Sequence, residues 1–177
     1  MGLAVALNNP QQASKTKVYF CLGSNIQPEQ NIRFAVQRVL NDFDQVKISN
    51  LYRTEAVGFV GDDFLNLALS LETSLSLQEV LDYTDALEKE AGRIRVRRGR
   101  YDSRTLDIDV VMYGDLSGEH AGREWPSDDI NENAHVLLPN SEIADGVIHP
   151  TLGVKFSKLR RESDHDELIL ERVEREW

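Results

Sequence analysis

The stretch Thr105-Leu-Asp-Ile-Asp-Val-Val-Met-Tyr113 is the most informative part of this sequence. Its length and its apolar, β-branched second half predict a buried β-strand. Side chains alternate between the two faces of a strand, so Asp107 and Asp109 lie on one face. Leu106, Ile108 and Val110 then occupy the opposite face. The stretch therefore predicts a strand with one apolar side and one side that carries paired carboxylates.

The segments upstream of this strand predict three more strands and two helices. The strands fall at 18–22, 46–54 and 64–71, and the strand described above completes the set at 105–113. One helix begins with Pro28 in its first turn, and the other with the capping box Ser76-Leu-Gln-Glu79. The order β-α-β-β-α-β predicts an α+β protein, a ferredoxin-like sandwich of a four-stranded antiparallel sheet with both helices on one face.

The rest of the chain is divided by composition. Residues 1–16 are polar and are expected to form a flexible N-terminal tail, followed by one domain at 17–159. Within it, 115–145 is expected to be rich in loops, and 147–159 to hold a short helix as part of a C-terminal extension. Residues 160–177 are highly charged, and we expect a second tail there.

Charge and cysteine content exclude several classes of protein. The 177 residues include 30 Asp and Glu against 20 Lys and Arg, which gives a formal net charge of −10. Such an average disfavours binding to nucleic acid or to an anionic membrane. The single cysteine, Cys21, excludes an intrachain disulfide. We expect a cytoplasmic protein that acts on small molecules as a monomer, with a dimer as the alternative.

The carboxylate pair allows two interpretations. Two acids side by side on a buried strand repel each other, and Mg²⁺ with phosphate oxygens is a natural compensation. A solvated sheet face with two exposed aspartates is the other interpretation, because Asp-x-Asp is common. The arginines before the strand favour the first, since guanidinium groups suit phosphate oxygens. Six of them lie within twelve residues: Arg93, Arg95, Arg97, Arg98, Arg100 and Arg104.

A second candidate site precedes the helix with the capping box. Phe64 and Asn66 share a strand face, where an aromatic ring and an amide could stack on and hydrogen-bond a flat heterocycle. The ordinary alternative places the ring in the core and the amide at an edge. Gly23-Ser-Asn25 at a helix start lacks the lysine of a phosphate-binding P-loop, so a turn is the simpler interpretation.

Together these motifs resemble the 6-hydroxymethyl-7,8-dihydropterin pyrophosphokinase family of folate biosynthesis. The resemblance covers residues 17–114 well and extends more weakly to about 159. The most specific piece is Arg104-Thr-Leu-Asp-Ile-Asp109, and the others are Leu22-Gly-Ser-Asn25, Tyr52-Arg-Thr54 with Gly58, Phe64-Leu-Asn66, and Glu88 with Gly92-Arg-Ile-Arg95. The resemblance implies a kinase that transfers pyrophosphate from ATP to the pterin hydroxymethyl group and releases AMP.

The resemblance also implies roles for individual residues. Asp107 and Asp109 would bind two Mg²⁺ ions that bridge the ATP phosphates. Arg93, Arg95 and Arg104 would contact those phosphates. Arg100 would belong to a loop that closes over the site, and Glu88 would lie near the nucleotide. On the pterin side, Phe64 would stack on the ring, Asn66 would hydrogen-bond it, and the backbones of Thr54 and Val57 would line its edge.

The segment after the strand departs from the family pattern. Ser127 stands where a histidine that contacts ATP is expected, and Asn133 stands where an arginine is expected. His135 takes the place of an aromatic residue that stacks on the pterin. Each lost charge-assisted hydrogen bond is worth about 1.5–3 kcal/mol, so we expect weakened binding of ATP. The pair of aspartates is intact, and an active enzyme remains the favoured hypothesis.

Three other functions stay open on these residues. Ser127, Asn133 and His135 are compatible with a paralogue that binds a pterin or nucleotide without this activity. His135 is also compatible with a kinase that uses a different heterocyclic acceptor. Ferredoxin-like sheets serve RNA recognition as well, but the sheet aromatics and the net charge disfavour that function.

Overall fold

The computed structural model of the protein describes residues 14–56, 60–93, 103–163 and 169–174. The predicted N-terminal tail lies almost entirely outside these residues. The elements in chain order are β1 (Thr16–Ser24), α1 (Pro28–Asp42), β2 (Lys47–Ile48), β3 (Leu51–Thr54), β4 (Phe64–Thr73), α2 (Leu77–Glu90), β5 (Asp107–Tyr113), β6 (Gly118–His120), β7 (Arg123–Trp125), α3 (Asp129–Glu132), α4 (Ala134–Ile143), α5 (Phe156–Glu162) and β8 (Ile169–Val173).

The main sheet is antiparallel and has six strands rather than the predicted four. Its order is β5-β1-β4-β3-β8, and the short β2 also pairs with β4. One extra strand arises because the predicted strand 46–54 is interrupted at Ser49. Its hydroxyl accepts a hydrogen bond from the Ala68 backbone N–H (2.8 Å), so a side chain replaces part of the backbone ladder there.

The other extra strand comes from the charged C-terminal segment. β8 pairs with β3, and Arg53 of β3 forms an ion pair with Glu171 (2.9 Å). The segment has no apolar alternation, and its pairing depends on a backbone edge that the sequence does not reveal. The boundaries of the predicted domain and tails remain a prediction.

The two long helices pack on one face of the sheet, as predicted. Ile32 and Val36 of α1 and Val80 and Leu87 of α2 share a buried cluster with the apolar side of β1, β4 and β5. The capping box is present, since Ser76 and Glu79 each accept a hydrogen bond from the other's backbone N–H. These contacts leave the carboxylate side of β5 on the opposite face.

The C-terminal extension covers part of that opposite face, so helices lie on both faces. α4 is buried on several sides and has no apolar stripe, and Pro139 lies inside it. Both features obscure a helix in the sequence and explain why 115–145 was expected to be loop-rich. Val136 and Leu137 of α4 join Tyr19 and Cys21 of β1 in a second cluster. Among the described helices, none is both long and apolar enough to cross a membrane.

Candidate active site

One row of paired residues crosses the centre of the sheet on the face opposite α1 and α2. Asp107 of β5 is paired with Gly23 of β1, which is paired with Asn66 of β4, which is paired in turn with Tyr52 of β3. Paired residues in adjacent strands project to the same face. The row therefore places the carboxylate pair and the predicted heterocycle site on one surface, with only a glycine between them.

Asp107 is held by two of the predicted arginines. Arg93 and Arg104 both form ion pairs with its carboxylate, and the three side chains are between 14% and 28% exposed. Partial burial strengthens such pairs, and the Arg93 guanidinium also forms an ion pair with Glu88. The site thus presents two cationic groups beside the first aspartate.

Glu88 anchors this group from the end of α2. Its carboxylate is buried, accepts a hydrogen bond from the Ile108 backbone N–H (2.9 Å) and forms an ion pair with Arg93. Among the described strands β5 lies at the edge of the sheet, so this contact also satisfies an N–H that none of them covers. Glu88 was predicted to lie near the nucleotide, and the structure shows it supporting Arg93 and the strand beneath Asp107.

Asp109 differs from Asp107 in its surroundings. It is accessible to solvent, yet protein atoms crowd its carboxylate. This desolvation raises the pKa of Asp109, and the negative charges of Asp129 and Glu88 raise it further, against the opposing effect of the two arginines. The charged form of Asp109 is therefore the less stabilised of the pair, and a cation would relieve it.

Asn25 ties the arginine segment to the end of β1. Its side-chain oxygen accepts a hydrogen bond from the Arg104 backbone N–H (2.7 Å), and its amide donates to Ser103 Oγ and to the Asp62 carbonyl, each at 3.2 Å. The sequence indicated only a turn here. The asparagine holds two loops at the margin of the site, and the signal for this in the sequence was its place in the family-like stretch Leu22-Gly-Ser-Asn25.

The predicted heterocycle site is assembled around Asn66. The Asn66 amide is buried and donates to Thr54 Oγ1 (2.9 Å). Phe64 is paired with Thr54 across β3 and β4, so its ring shares the same face. A Cβ atom placed on Gly23 would lie 2.9 Å from Asn66 Oδ1, which shows how closely this side chain covers the glycine. Phe64 and Asn66 therefore share one face, and Thr54 lies beside them.

The segment that departs from the family pattern forms a hydrogen-bonded unit around Asp129. Ser127 Oγ donates to Asp129 Oδ2 (3.0 Å), and Asn133 Nδ2 donates to Asp129 Oδ1 (2.8 Å). The two residues at the expected histidine and arginine positions thus both donate hydrogen bonds to one carboxylate. The sequence showed the acids in this segment, but not that these neutral side chains hold one of them.

His135 follows this unit at the start of α4. The Cys21 thiol donates to the His135 carbonyl (3.5 Å), which holds the start of the helix over the middle of the sheet. Desolvation lowers the pKa of His135, while Asp129 partly opposes that shift. The remaining predicted site residues, Val57, Arg95 and Arg100, lie outside the described residues.

The donor set fits Mg²⁺ that arrives with a phosphate ligand. Within the described ranges, no group of three or more His, Cys, Asp or Glu side chains is arranged to hold a metal ion. Mg²⁺ is commonly held by one or two carboxylates and completes its shell with water and phosphate oxygens. Asp107 and Asp109 supply two carboxylates on one face, and the adjacent arginines suit the phosphate.

An antiparallel sheet layered with helices, with an aspartate pair flanked by arginines on one face, offers the carboxylates and cations that suit a polyphosphate with its metal ion. Comparison with known proteins identifies the family. Residues 19–145 match the family model described as 7,8-dihydro-6-hydroxymethylpterin-pyrophosphokinase. The chain belongs to that family.

Relatives from several bacteria agree with this assignment. Three of them carry the name 2-amino-4-hydroxy-6-hydroxymethyldihydropteridine pyrophosphokinase. The protein from Haemophilus influenzae is 29% identical over 83% of this chain and 93% of its own length. The one from Aquifex aeolicus is 33% identical over 75% and 83%, and the one from Synechocystis is 32% identical over 81% and 74%. These matches favour an enzyme over an RNA-binding domain.

Proposed function

We propose that this chain transfers a pyrophosphoryl group from ATP to the hydroxymethyl group of 6-hydroxymethyl-7,8-dihydropterin on the face that carries Asp107 and Asp109. The observation that carries the proposal is the row Asp107–Gly23–Asn66. It places side chains suited to a polyphosphate next to side chains suited to a flat heterocycle. Family membership supplies the reaction. A ferredoxin-like core within the six-stranded sheet is part of the proposal.

The reaction joins the pterin hydroxyl oxygen to the β-phosphorus of ATP. The bond between that phosphorus and the oxygen bridging to the α-phosphorus breaks, AMP leaves with that oxygen, and the hydroxyl proton passes to solvent. Two Mg²⁺ ions held by Asp107 and Asp109 would neutralise charge on the phosphates when bound. Arg93 and Arg104 bind and orient phosphate oxygens, and Glu88 keeps Arg93 in place.

The acceptor is held at the other end of the row. A flat heterocycle that stacks on Phe64 and hydrogen-bonds Asn66 has its reactive substituent directed over Gly23 toward the aspartates. Thr54 fixes the Asn66 amide, so the recognising atoms are preorganised before the substrate binds. His135 contacts the acceptor from α4, and Ser127 contacts the nucleotide. Val57, Arg95 and Arg100 complete the site in the roles that the resemblance implies.

The proposal also covers the setting of the reaction. The chain acts as a cytoplasmic monomer on small molecules, without nucleic acid.

The direct test is formation of AMP from ATP, Mg²⁺ and hydroxymethyldihydropterin. The wild-type chain is expected to turn over, and Asp109→Ala to lose at least about a hundredfold in kcat because a charge-neutralising group acts in the transition state. Asp145→Ala, which removes an exposed aspartate remote from the row, is the matched control and is expected to keep wild-type activity.

Two outcomes would contradict the proposal. Full activity in Asp109→Ala would overturn the role of the aspartate pair. Binding of the pterin by calorimetry with no AMP from the wild-type chain would favour the paralogue that binds without this activity.

A further inference from the structure

The C-terminal strand β8 lies beside the Asn66 end of the row. It is the last of the described strands, and β3 is its partner in the sheet. β3 is only four residues long, and it ends at Thr54, whose hydroxyl accepts the hydrogen bond from the buried Asn66 amide (2.9 Å). The strand that fixes Asn66 therefore lies between β4 on one side and the C-terminal strand on the other.

The pairing of β8 with β3 changes register at Thr54. Arg53 is paired with Glu171, but Thr54 is paired with Ile169, so Leu170 of β8 has no counterpart on β3. Such a β-bulge bends its strand, increases the local twist and changes the direction of neighbouring residues. Because the bulge lies opposite the end of β3, the course of the backbone at Thr54 depends on β8 as well as on β4.

The attachment of β8 to the sheet depends on few side chains. Val173 is paired with Leu51 and packs against the apolar cluster beneath α1 and α2, in which Leu51 is fully buried. The ion pair of Glu171 with Arg53 joins side chains that are 58% and 33% exposed, and exposed pairs of this kind contribute little. Among the described side chains of β8, Val173 is therefore the one that holds the strand to the core.

Without β8, β3 would be a four-residue edge strand that pairs with β4 through three residue pairs. Strand ends with so few contacts open locally, and an open Thr54 no longer fixes the Asn66 amide. The acceptor would then bind only the fraction of molecules in which β3 is ordered, and its apparent affinity would fall by that fraction.

We propose that Val173 is a positioning residue for the acceptor: it docks β8, and the docked strand holds Thr54 and Asn66 in the geometry that recognises the heterocycle. This inference rests on the proposed function, because it concerns the acceptor of that reaction. Coupling between two events is reciprocal, so the bound acceptor also stabilises the docked strand. The nucleotide lies at the other end of the row and takes no part in this coupling.

The first experiment removes the contact of Val173 with the core. Val173→Asp places a charge against the apolar cluster and is expected to detach β8. We expect the KM for the pterin to rise about tenfold, while kcat and the Kd of α,β-methylene-ATP stay within about twofold. A residue that only supports the fold would lower the melting temperature without separating KM from kcat.

Two matched variants complete this experiment. Val173→Ile keeps an apolar side chain against the cluster and is expected to retain the wild-type KM. Leu152→Asp adds the same charge at an exposed apolar residue of another segment, and it is also expected to retain that KM.

Hydrogen exchange of the full wild-type chain tests the reciprocal effect and does not depend on the folding of a variant. In the presence of α,β-methylene-ATP and Mg²⁺, added hydroxymethyldihydropterin is expected to slow exchange of the amides of β8 at least about threefold. The amides of the hairpin β6–β7, which forms a separate sheet, are expected to exchange at an unchanged rate.

Three results would overturn the role of Val173 alone. They are an unchanged KM for the pterin in Val173→Asp, an equal rise of that KM in Leu152→Asp, and exchange of the β8 amides that does not respond to the pterin. If the wild-type chain does not bind the pterin in the presence of the ATP analogue and Mg²⁺, the proposed function is overturned, and this inference with it.

Discussion

At the scale of single residues, the site depends on side chains that ion pairs or hydrogen bonds already hold in position. Asp107 is engaged by Arg93 and Arg104, and Asn66 by Thr54. Asp109 is the member of the aspartate pair that solvent reaches and that neighbouring acids destabilise. The two aspartates have the same side chain and lie two residues apart, so their different ion pairing and exposure come from their surroundings.

Gly23 is the residue whose replacement separates the two halves of the site. In Gly23→Ala the new Cβ would lie 2.9 Å from Asn66 Oδ1, so the buried amide must move. We expect the KM for the pterin to rise about tenfold, which corresponds to about 1.4 kcal/mol, while binding of the ATP analogue changes little. Steady-state kinetics with each substrate varied in turn measures the difference.

Gly146→Ala is the control, because no atom lies within 4 Å of the Cβ it would add. An unchanged KM for the pterin in Gly23→Ala would show that Asn66 does not recognise the acceptor.

At the scale of elements, α4 connects the two ends of the site. Its start, with His135, lies over Cys21 of β1, and near its end Glu142 accepts hydrogen bonds from Asn50 N (2.7 Å), Asn50 Nδ2 (2.9 Å) and the Tyr52 hydroxyl. Burial and the contact with Glu142 raise the pKa of Tyr52 to about 12. Glu142 therefore fastens the helix to the link between β2 and β3.

Glu142→Gln is expected to weaken that attachment, because an amide offers one accepting oxygen in place of two. The expected loss is about 1 kcal/mol of the free energy of unfolding, since the carboxylate is partly screened by solvent, and the pKa of Tyr52 should fall toward its usual value. Thermal unfolding should shift down by about 2–4 °C, and the ultraviolet absorbance of ionised tyrosine follows the titration.

Glu171→Gln makes the same change in the exposed ion pair with Arg53 and is expected to shift the melting temperature less. Equal shifts in the two variants would contradict the special role of Glu142.

The elements also show what the sequence could and could not predict. The amphipathic helices and the alternating strand β5 follow from local periodicity, and the shared faces of Asp107 with Asp109 and of Phe64 with Asn66 follow with them. The split at Ser49 and the pairing of β8 depend on contacts with β4 and β3, which are distant in the sequence. α4 was missed because a helix buried on several sides shows no stripe, and the hairpin of β6 and β7 because its turn, Ala121-Gly122, uses an unusual alanine with positive φ.

At the scale of the whole molecule, a net charge of −10 coexists with the site proposed for a polyphosphate. Arg93 and Arg104 both form ion pairs with Asp107, and the negative charge of Asp129 acts on Asp109. The charge average disfavours a nucleic-acid groove but says nothing about a single polyphosphate site. Sequence composition could not predict this balance, because it depends on which side chains Ser127 and Asn133 contact.

Acid stability is a second property of the whole molecule, and it involves His149. This imidazole is 1% exposed, and its Nε2 atom has no hydrogen-bond partner among the described residues. Desolvation lowers its pKa below the usual value of about 6.5. The unfolded chain therefore takes up a proton first, and stability falls as pH decreases from about 6.5 toward the lowered pKa of the folded state.

His149→Gln should show a smaller loss of unfolding free energy between about pH 7 and pH 5 than the wild-type chain does. Urea denaturation across that range is the measurement. His120→Gln, at an exposed histidine, is expected to follow the wild-type curve. A wild-type slope in His149→Gln would show that this imidazole does not contribute.

A crystal structure of the chain with α,β-methylene-ATP, Mg²⁺ and hydroxymethyldihydropterin tests most directly whether both substrates meet on one face of the sheet. We predict Mg²⁺ between the phosphates and the carboxylates of Asp107 and Asp109, and the pterin hydrogen-bonded to Asn66 with its hydroxymethyl group over Gly23. A pterin bound away from Asn66, or phosphates and metal bound without contact to either aspartate, would contradict the account.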